Sequence, residues 1–156
     1  MLGKILKIEE VTNVCLTNTG TLNGSGGRLG IMEMPSALCT YEEYDGYRIT
    51  TDKHEFNILI SNGQNCCEHW GYFYSNDNEQ DFVGADLLEV NLTDKELNKE
   101  VVNKSGYYDD CGGIQFVDFV TTKGILQIAV YNAHNGYYGH PIIFAKDKEI
   151  FCSDTL

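Results

Sequence analysis

The sequence predicts a mainly-β domain of the α+β kind: an antiparallel sheet, sandwich or partly closed barrel with one or two short helices. Three observations lead there. Ten Tyr and seven Phe residues sit among recurrent runs of β-branched residues, a composition that suits pleated, half-buried surfaces. Short apolar runs are separated at hairpin spacing by Gly, Asn, Asp and Lys. Only two prolines and a hydrophobic content of 42% favour a packed core over disorder. The 156 residues suit one domain, 1–156, in which 1–43 reads as an N-terminal extension with a Gly-rich loop and 44–156 as the β core.

The elements follow in order. Lys4 to Thr12 suits either a strand or one short helical face, because its apolar positions satisfy both periods. Asn18 to Gly27 is rich in Gly, Ser and Asn and reads as a loop; without a following Gly-Lys-Ser/Thr it is no phosphate cradle. Leu29, Ile31, Met32 and Met34 make a short strand or an apolar patch. Asp45-Gly46 and Asp52-Lys53-His54 bracket a strand, Tyr47 to Thr51, whose hairpin partner runs from Glu55 to Ser61. The partner is apolar at Phe56, Ile58, Leu59 and Ile60, as in a strand covered on both faces. A helical turn is expected at Cys66 to Trp70, ended by Gly71. Leu87 to Leu92 alternates like a strand, and Thr93 with Glu96 forms a capping box for a helix over 94–99. Strands at 114–120, 125–131, 141–145 and 149–152 complete the chain, with Asp147-Lys148 as the last turn.

The halves echo one another. Thr50-Thr51-Asp52-Lys53 leads to a strand, Asn62-Gly63 and Gly71-Tyr72-Phe73; Thr121-Thr122-Lys123 leads to a strand, Asn132 and Gly136-Tyr137-Tyr138. The repetition places two similar loops at equivalent ends of two hairpins.

Eleven basic residues face 23 acidic ones, a formal net charge of −12. That balance excludes direct nucleic-acid binding by counterion release and favours attraction to basic partners. No run reaches the roughly 18 apolar residues of a membrane helix, and Met1 to Glu10 lacks the long apolar core of a signal peptide. The expectation is a cytoplasmic protein without membrane contact. Six cysteines with no Cys-x-x-Cys pair are then expected to be reduced, mostly as small apolar residues; no metal and no cofactor is assigned.

Candidate binding residues fall in two groups. The first joins aromatic rings to amides and imidazoles: Trp70, Tyr72, Asn132, His134, Asn135, Tyr137, Tyr138 and His140. Such groups suit a nucleobase, by stacking and edge hydrogen bonds, or a protein interface, where Tyr and Trp anchor contacts. The second is acidic: Asp77, Glu79 and Asp81 open a stretch with eight acids between residues 76 and 100. Cys66 or Cys67 with His134 gives the elements of a thiol hydrolase, though nothing marks an oxyanion hole.

At these residues the chain resembles a family of small proteins of unknown function found in phages, prophages and other mobile elements. The resemblance rests on Asn62-Gly63-Gln64-x-Cys66-Cys67-Glu68-x-Trp70-Gly71-Tyr72, on Asp81-Phe82-Val83-Gly84-Ala85, and on Tyr131-Asn132-x-His134-Asn135-Gly136-Tyr137-Tyr138-Gly139-His140. It covers about residues 44 to 146. It carries no activity to particular residues; it implies an anti-defence setting in a host cytoplasm. The leading expectation is a non-enzymatic, anti-CRISPR-like inhibitor whose acidic surface covers the basic nucleic-acid cleft of a host immune nuclease. The alternative is a sponge for a small nucleotide signal built on the aromatic loops, and the weaker one is the Cys/His hydrolase. A homodimer is compatible with each.

Overall fold

Strand β1 (Gly3–Thr21) is the seam of the molecule, and its length comes from serving two halves of one sheet. In the computed structural model, which describes residues 1–21, 29–34 and 42–156, the remaining strands are β2 (Leu29–Met34), β3 (Glu43–Thr51), β4 (Glu55–Ser61), β5 (His69–Tyr74), β6 (Asp86–Thr93), β7 (Gly113–Thr121), β8 (Gly124–Ala133), β9 (Pro141–Lys146) and β10 (Glu149–Thr155). All pairings are antiparallel, in the order β2-β10-β9-β4-β3-β1-β6-β7-β8-β5, and β2 also pairs with the far end of β1. The ten-strand order stays open at β5, while the extra β2–β1 pairing links β1, β2, β10, β9, β4 and β3 in a ring. Gly3 and Lys4 of β1 pair with β6; the strand then pairs with β3 from Ile5 to Cys15. Its register shifts between Val11 and Val14, where Asn13 adopts φ 54°, a left-handed conformation that asparagine tolerates. The expected N-terminal extension is thus a central strand whose Ile5 and Ile8 enter the core.

The halves pack face to face. Ile49, Phe56, Ile58, Ile60, Ile142 and Phe144 from one meet Leu87, Val117, Phe119, Leu126, Ile128 and Val130 from the other, with Phe56 and Phe119 edge to face at 5.6 Å. The strands cross: along β5, Trp70 meets His140 beside β9, while Tyr72 and Tyr74 meet Tyr47 of β3. A second cluster of Val14, Leu16, Tyr44, Leu59 and Ala145 covers the other face of β4, so this strand is buried on both sides as its sequence predicts. β8 is buried from Leu126 onward.

Several local expectations are corrected. The strand expected from Tyr47 runs back to Glu43 through Gly46, where an added Cβ would lie 2.0 Å from the Ile58 carbonyl oxygen. No helical turn forms at Cys66 to Trp70; residues 66–67 bend and β5 begins at His69. The helix expected over 94–99 instead forms as α1 (Lys99–Lys104), capped by Asn98. Buried Gln127 on β8 is the cause, since its side chain accepts from Leu97 N at 2.8 Å and donates to Lys95 O at 3.0 Å. Those bonds spread residues 95–97 over the strand before a helix can start. Cys66, Cys67 and Cys111 are exposed and Cys152 is half-buried, so these four free thiols are not core residues. Cys15 is disulfide-bonded, against the expectation of reduced thiols throughout. The Gly-rich stretch from 22 to 28 lies outside the described residues. Among the described residues no helix is long and apolar enough to cross a membrane.

Candidate functional site

The echo between the halves is real in its turn chemistry. Thr51 Oγ1 accepts from Lys53 N at 3.1 Å and lies 3.1 Å from the His54 carbonyl; Thr121 Oγ1 accepts from Lys123 N at 3.1 Å and donates to Gly124 O at 2.7 Å. Each hairpin then sends a loop to the same end of the sandwich, and there the two loops meet.

The junction is built around Glu68 and His140. Glu68 turns back into its own loop, accepting from Asn65 N at 2.6 Å and Cys66 N at 2.8 Å. Its carboxylate also meets His140 Nε2 at 3.0 Å, and both side chains are buried, 0% and 1% exposed. The other ring nitrogen, Nδ1, lies 2.7 Å from the Ser61 carbonyl at the end of β4. Both ring nitrogens therefore lie against oxygen atoms. Burial opposes the Glu68 charge, but the Asn65 N–H, His140 and the Cys66 N–H outweigh it and hold the carboxyl down at about 2. Trp70 stacks on the imidazole at 5.4 Å and donates Nε1 to Gln64 Oε1 at 2.7 Å, while Gln64 Nε2 donates to Glu68 O at 2.9 Å. Asn132, fully buried, donates to Tyr138 O at 2.8 Å and Leu156 O at 2.9 Å; its Oδ1 has no hydrogen-bond partner among the described residues. His134 Nδ1 accepts from Gly136 N at 2.9 Å, and the ring is buried.

Chemically, this is a latch. An imidazole whose two nitrogens are both engaged by protein oxygens is closed to a substrate. Trp70 and His140 bridge the two loops, while Asn132 and His134 are spent within the second loop and on Leu156. What the latch presents outward is Asn135, Tyr137 at 84% exposure, and the thiols of Cys66, Cys67 and Cys111. Tyr138 is half-buried, and the hydrogen bond to Cys66 pushes its phenol up. Among the described residues, no group of three or more His, Cys, Asp or Glu converges to hold a metal ion.

The acidic residues lie at the other end of β5. That strand pairs His69 with Ala133 at the latch and Tyr74 with Ile128 at its far end, about 17 Å away for five steps. Beyond it, Asn78 caps a 3-10 turn, Glu79–Phe82, by accepting from Gln80 N at 3.3 Å. Asp77 and Asp81 are exposed and Glu79 is half-exposed. Lys123 makes no ion pair with them: its ammonium donates to the carbonyls of Asp81 and Val83 at 2.9 and 3.0 Å. Between the two ends, Tyr47 stacks on Tyr74 at 3.9 Å and takes Tyr72 edge-on at 5.1 Å. Tyr72 donates to Glu10 at 2.5 Å. Burial first, then the charge of Glu10, lifts the Tyr47 and Tyr72 phenols far above their usual range; at Tyr72 the bond to Glu10 adds to the rise.

The structure thus brings Trp70, Asn132, His134, Tyr138 and His140 together, leaves Tyr72 midway along β5, and sets Asp77, Glu79 and Asp81 at the far end. Sequence reasoning missed Glu10, 62 positions from Tyr72, and Asp45, which accepts from Asn13 N and Asn62 Nδ2 at 2.9 Å. No local pattern announces contacts at that separation. Glu68 was visible inside its motif, but its role as a buried counter-ion was not.

A family profile for a domain of unknown function, DUF7448, matches residues 1–144. The chain belongs to the DUF7448 family. The match begins at residue 1, so β1 and β2 are part of the family's domain and not an addition to it. It ends inside β9, leaving β10 beyond the matched span. Neither the curated proteins nor the solved structures contain a match.

Proposed function

We propose that this DUF7448 chain is a non-catalytic binding protein that engages a basic protein surface through its acidic end. In the mobile-element setting suggested by its motifs, the partner is the nucleic-acid cleft of a host immune nuclease in the cytoplasm. One observation carries the reading. Lys123, beside the 3-10 turn, directs its ammonium to backbone carbonyls, and Asp77, Glu79 and Asp81 have no ion-pair partner among the described residues. Other cations are likewise engaged: Lys4 with Asp86 at 3.1 Å, Lys7 with Glu9 at 2.6 Å, and Arg48 with Glu33 at 2.8 Å. A net charge of −12 then reaches solvent as uncompensated carboxylate, which attracts basic clefts and speeds encounter.

The nucleotide-sponge reading loses ground because Asn132, His134 and His140 are buried and already hydrogen-bonded, which leaves it Asn135, the exposed Tyr137 and the half-buried Trp70, Tyr72 and Tyr138. The hydrolase reading needs a His134 lone pair directed at a thiol, and its Nδ1 is occupied by Gly136 N–H. The test is binding to a panel of purified CRISPR effector nucleases across ionic strength, with a triple variant Asp77→Lys, Glu79→Lys, Asp81→Lys. Affinity that falls steeply with salt, and is lost in the variant, supports the proposal. Affinity that is flat with salt and unchanged by charge reversal refutes it.

A further inference from the structure

The crossed sheets leave one corner open. On β6, Val90 pairs with Phe119 and Leu92 with Val117, so both side chains share the core-facing side of their strand. Yet Val90 is half-buried and Leu92 is 45% exposed, because β10 does not close over them. The result is a cleft of about 530 Å³ with Phe56 at its floor, Val90 on one wall, Ile150 and Phe151 on the other, and Leu2 beside them. Phe151 is 39% exposed, a large apolar surface left in water beside an apolar cavity. Lys146 and Glu149 edge the cleft and face each other across the β9–β10 pairing. Among the described residues Lys146 forms no ion pair.

We infer that this corner binds the aliphatic chain of a long-chain carboxylate, with the head group at the Lys146 ammonium. The volume lies inside the range of small-ligand sites. At about 30 Å³ per atom of methylene or water size, it holds roughly 18 such atoms, enough for a single alkyl chain but not for a bilayer segment. A nucleotide is excluded by the walls, which offer a base no edge-reading amide and a triphosphate only one cation. Lys146 is the one cation among the described lining residues, and a carboxylate at the rim would share its ammonium with Asp147, which that charge helps hold down, and with Glu149 opposite. The cleft is separate from the Asp77–Asp81 end, so this inference stands or falls independently of the acidic-surface reading.

The experiment is calorimetric titration of the full chain with saturated carboxylates of increasing length, kept below micelle formation, beside alcohols of the same length. Each methylene that enters the cleft tightens binding about fourfold, so adding two gives about fifteenfold until the cleft is full. Carboxylates bind several-fold tighter than alcohols, and Lys146→Met removes that preference while keeping the dependence on length. Val90→Phe, which fills the corner from a half-exposed position, shortens the longest chain accommodated. Affinity independent of chain length overturns the site. Equal binding of carboxylate and alcohol by the unaltered protein overturns the assigned head group, as does an undiminished preference in Lys146→Met, with circular dichroism checking the fold of both variants.

Discussion

Replacing Glu68 by Gln removes one charge from the latch and leaves its shape, so the loss can be worked from the structure. The native carboxylate takes two backbone N–H bonds and the His140 ring with no exposure to solvent. A carboxyl lowered from its ordinary 4.5 to about 2 contributes on the order of 3 kcal/mol to folding at neutral pH. Breaking a buried pair from one side costs about 3–5 kcal/mol, and an isosteric amide that keeps one acceptor oxygen should fall at the lower end. About 3 kcal/mol is therefore expected, or a lowering of Tm by roughly 6–12 °C for a domain of this size. The sign of the pH effect follows from the depressed value. The Glu68 contribution is complete above its unfolded-state value near 4.5 and is lost as pH falls through about 2. Urea denaturation from pH 7 down to about pH 2 should show native stability falling in that window, with a smaller fall in Glu68→Gln. Were the two proteins equally stable at pH 7 and parallel below pH 5, the latch would not be held by this charge.

Other predictions follow from the same packing. Gln127→Leu removes four hydrogen bonds, to Ser75 Oγ, Leu97 N, Lys95 O and Asp118, and should cost about 3–4 kcal/mol; hydrogen exchange should show residues 94–98 released first. Gly112→Ala puts a Cβ at 1.8 Å from the Asn132 carbonyl, so a loss of at least about 2 kcal/mol is expected in a thermal melt; Gly63→Ala, whose Cβ would meet nothing closer than 3.6 Å, should change little. Under a thiol reagent, Cys66 and Cys111 should react readily in the native protein, and the exposed Cys67 more slowly, because the hydrogen bond with Cys66 pushes its thiol up. Cys152 should lag, because burial and then Asp154 push its thiol up; equal rates at all four would contradict the placement of β10. Tyr137→Ala should leave stability within about 0.5 kcal/mol, since the ring is 84% exposed.

Comparison of the two levels is clearest at particular residues. Turn residues at hairpin spacing around short apolar runs placed β3, β4, β7 and β8 within a few residues. The double apolar character of Phe56 to Ile60 announced a strand covered on both faces, and the matching Thr-Lys turns announced equivalent hairpins. Where local chemistry offered two answers, sequence failed. Thr93 and Asn98 are both good caps, and the choice fell to Asn98 because Gln127, some thirty residues away, holds Lys95 and Leu97.

The composition and motifs by themselves determined that the chain makes antiparallel strands, carries an excess of carboxylate, and has two loops rich in aromatic rings and imidazoles. They could not determine what those loops are for, since an imidazole is base, ligand or counter-ion according to what faces its two nitrogens. Only the tertiary structure decided that. It buried Glu68 against His140, turned Lys123 toward carbonyls in place of carboxylates, and split the aromatic and acidic candidates between opposite ends of β5. Long-range pairing sets these outcomes, and a contact 72 residues apart in the chain leaves no trace in local periodicity.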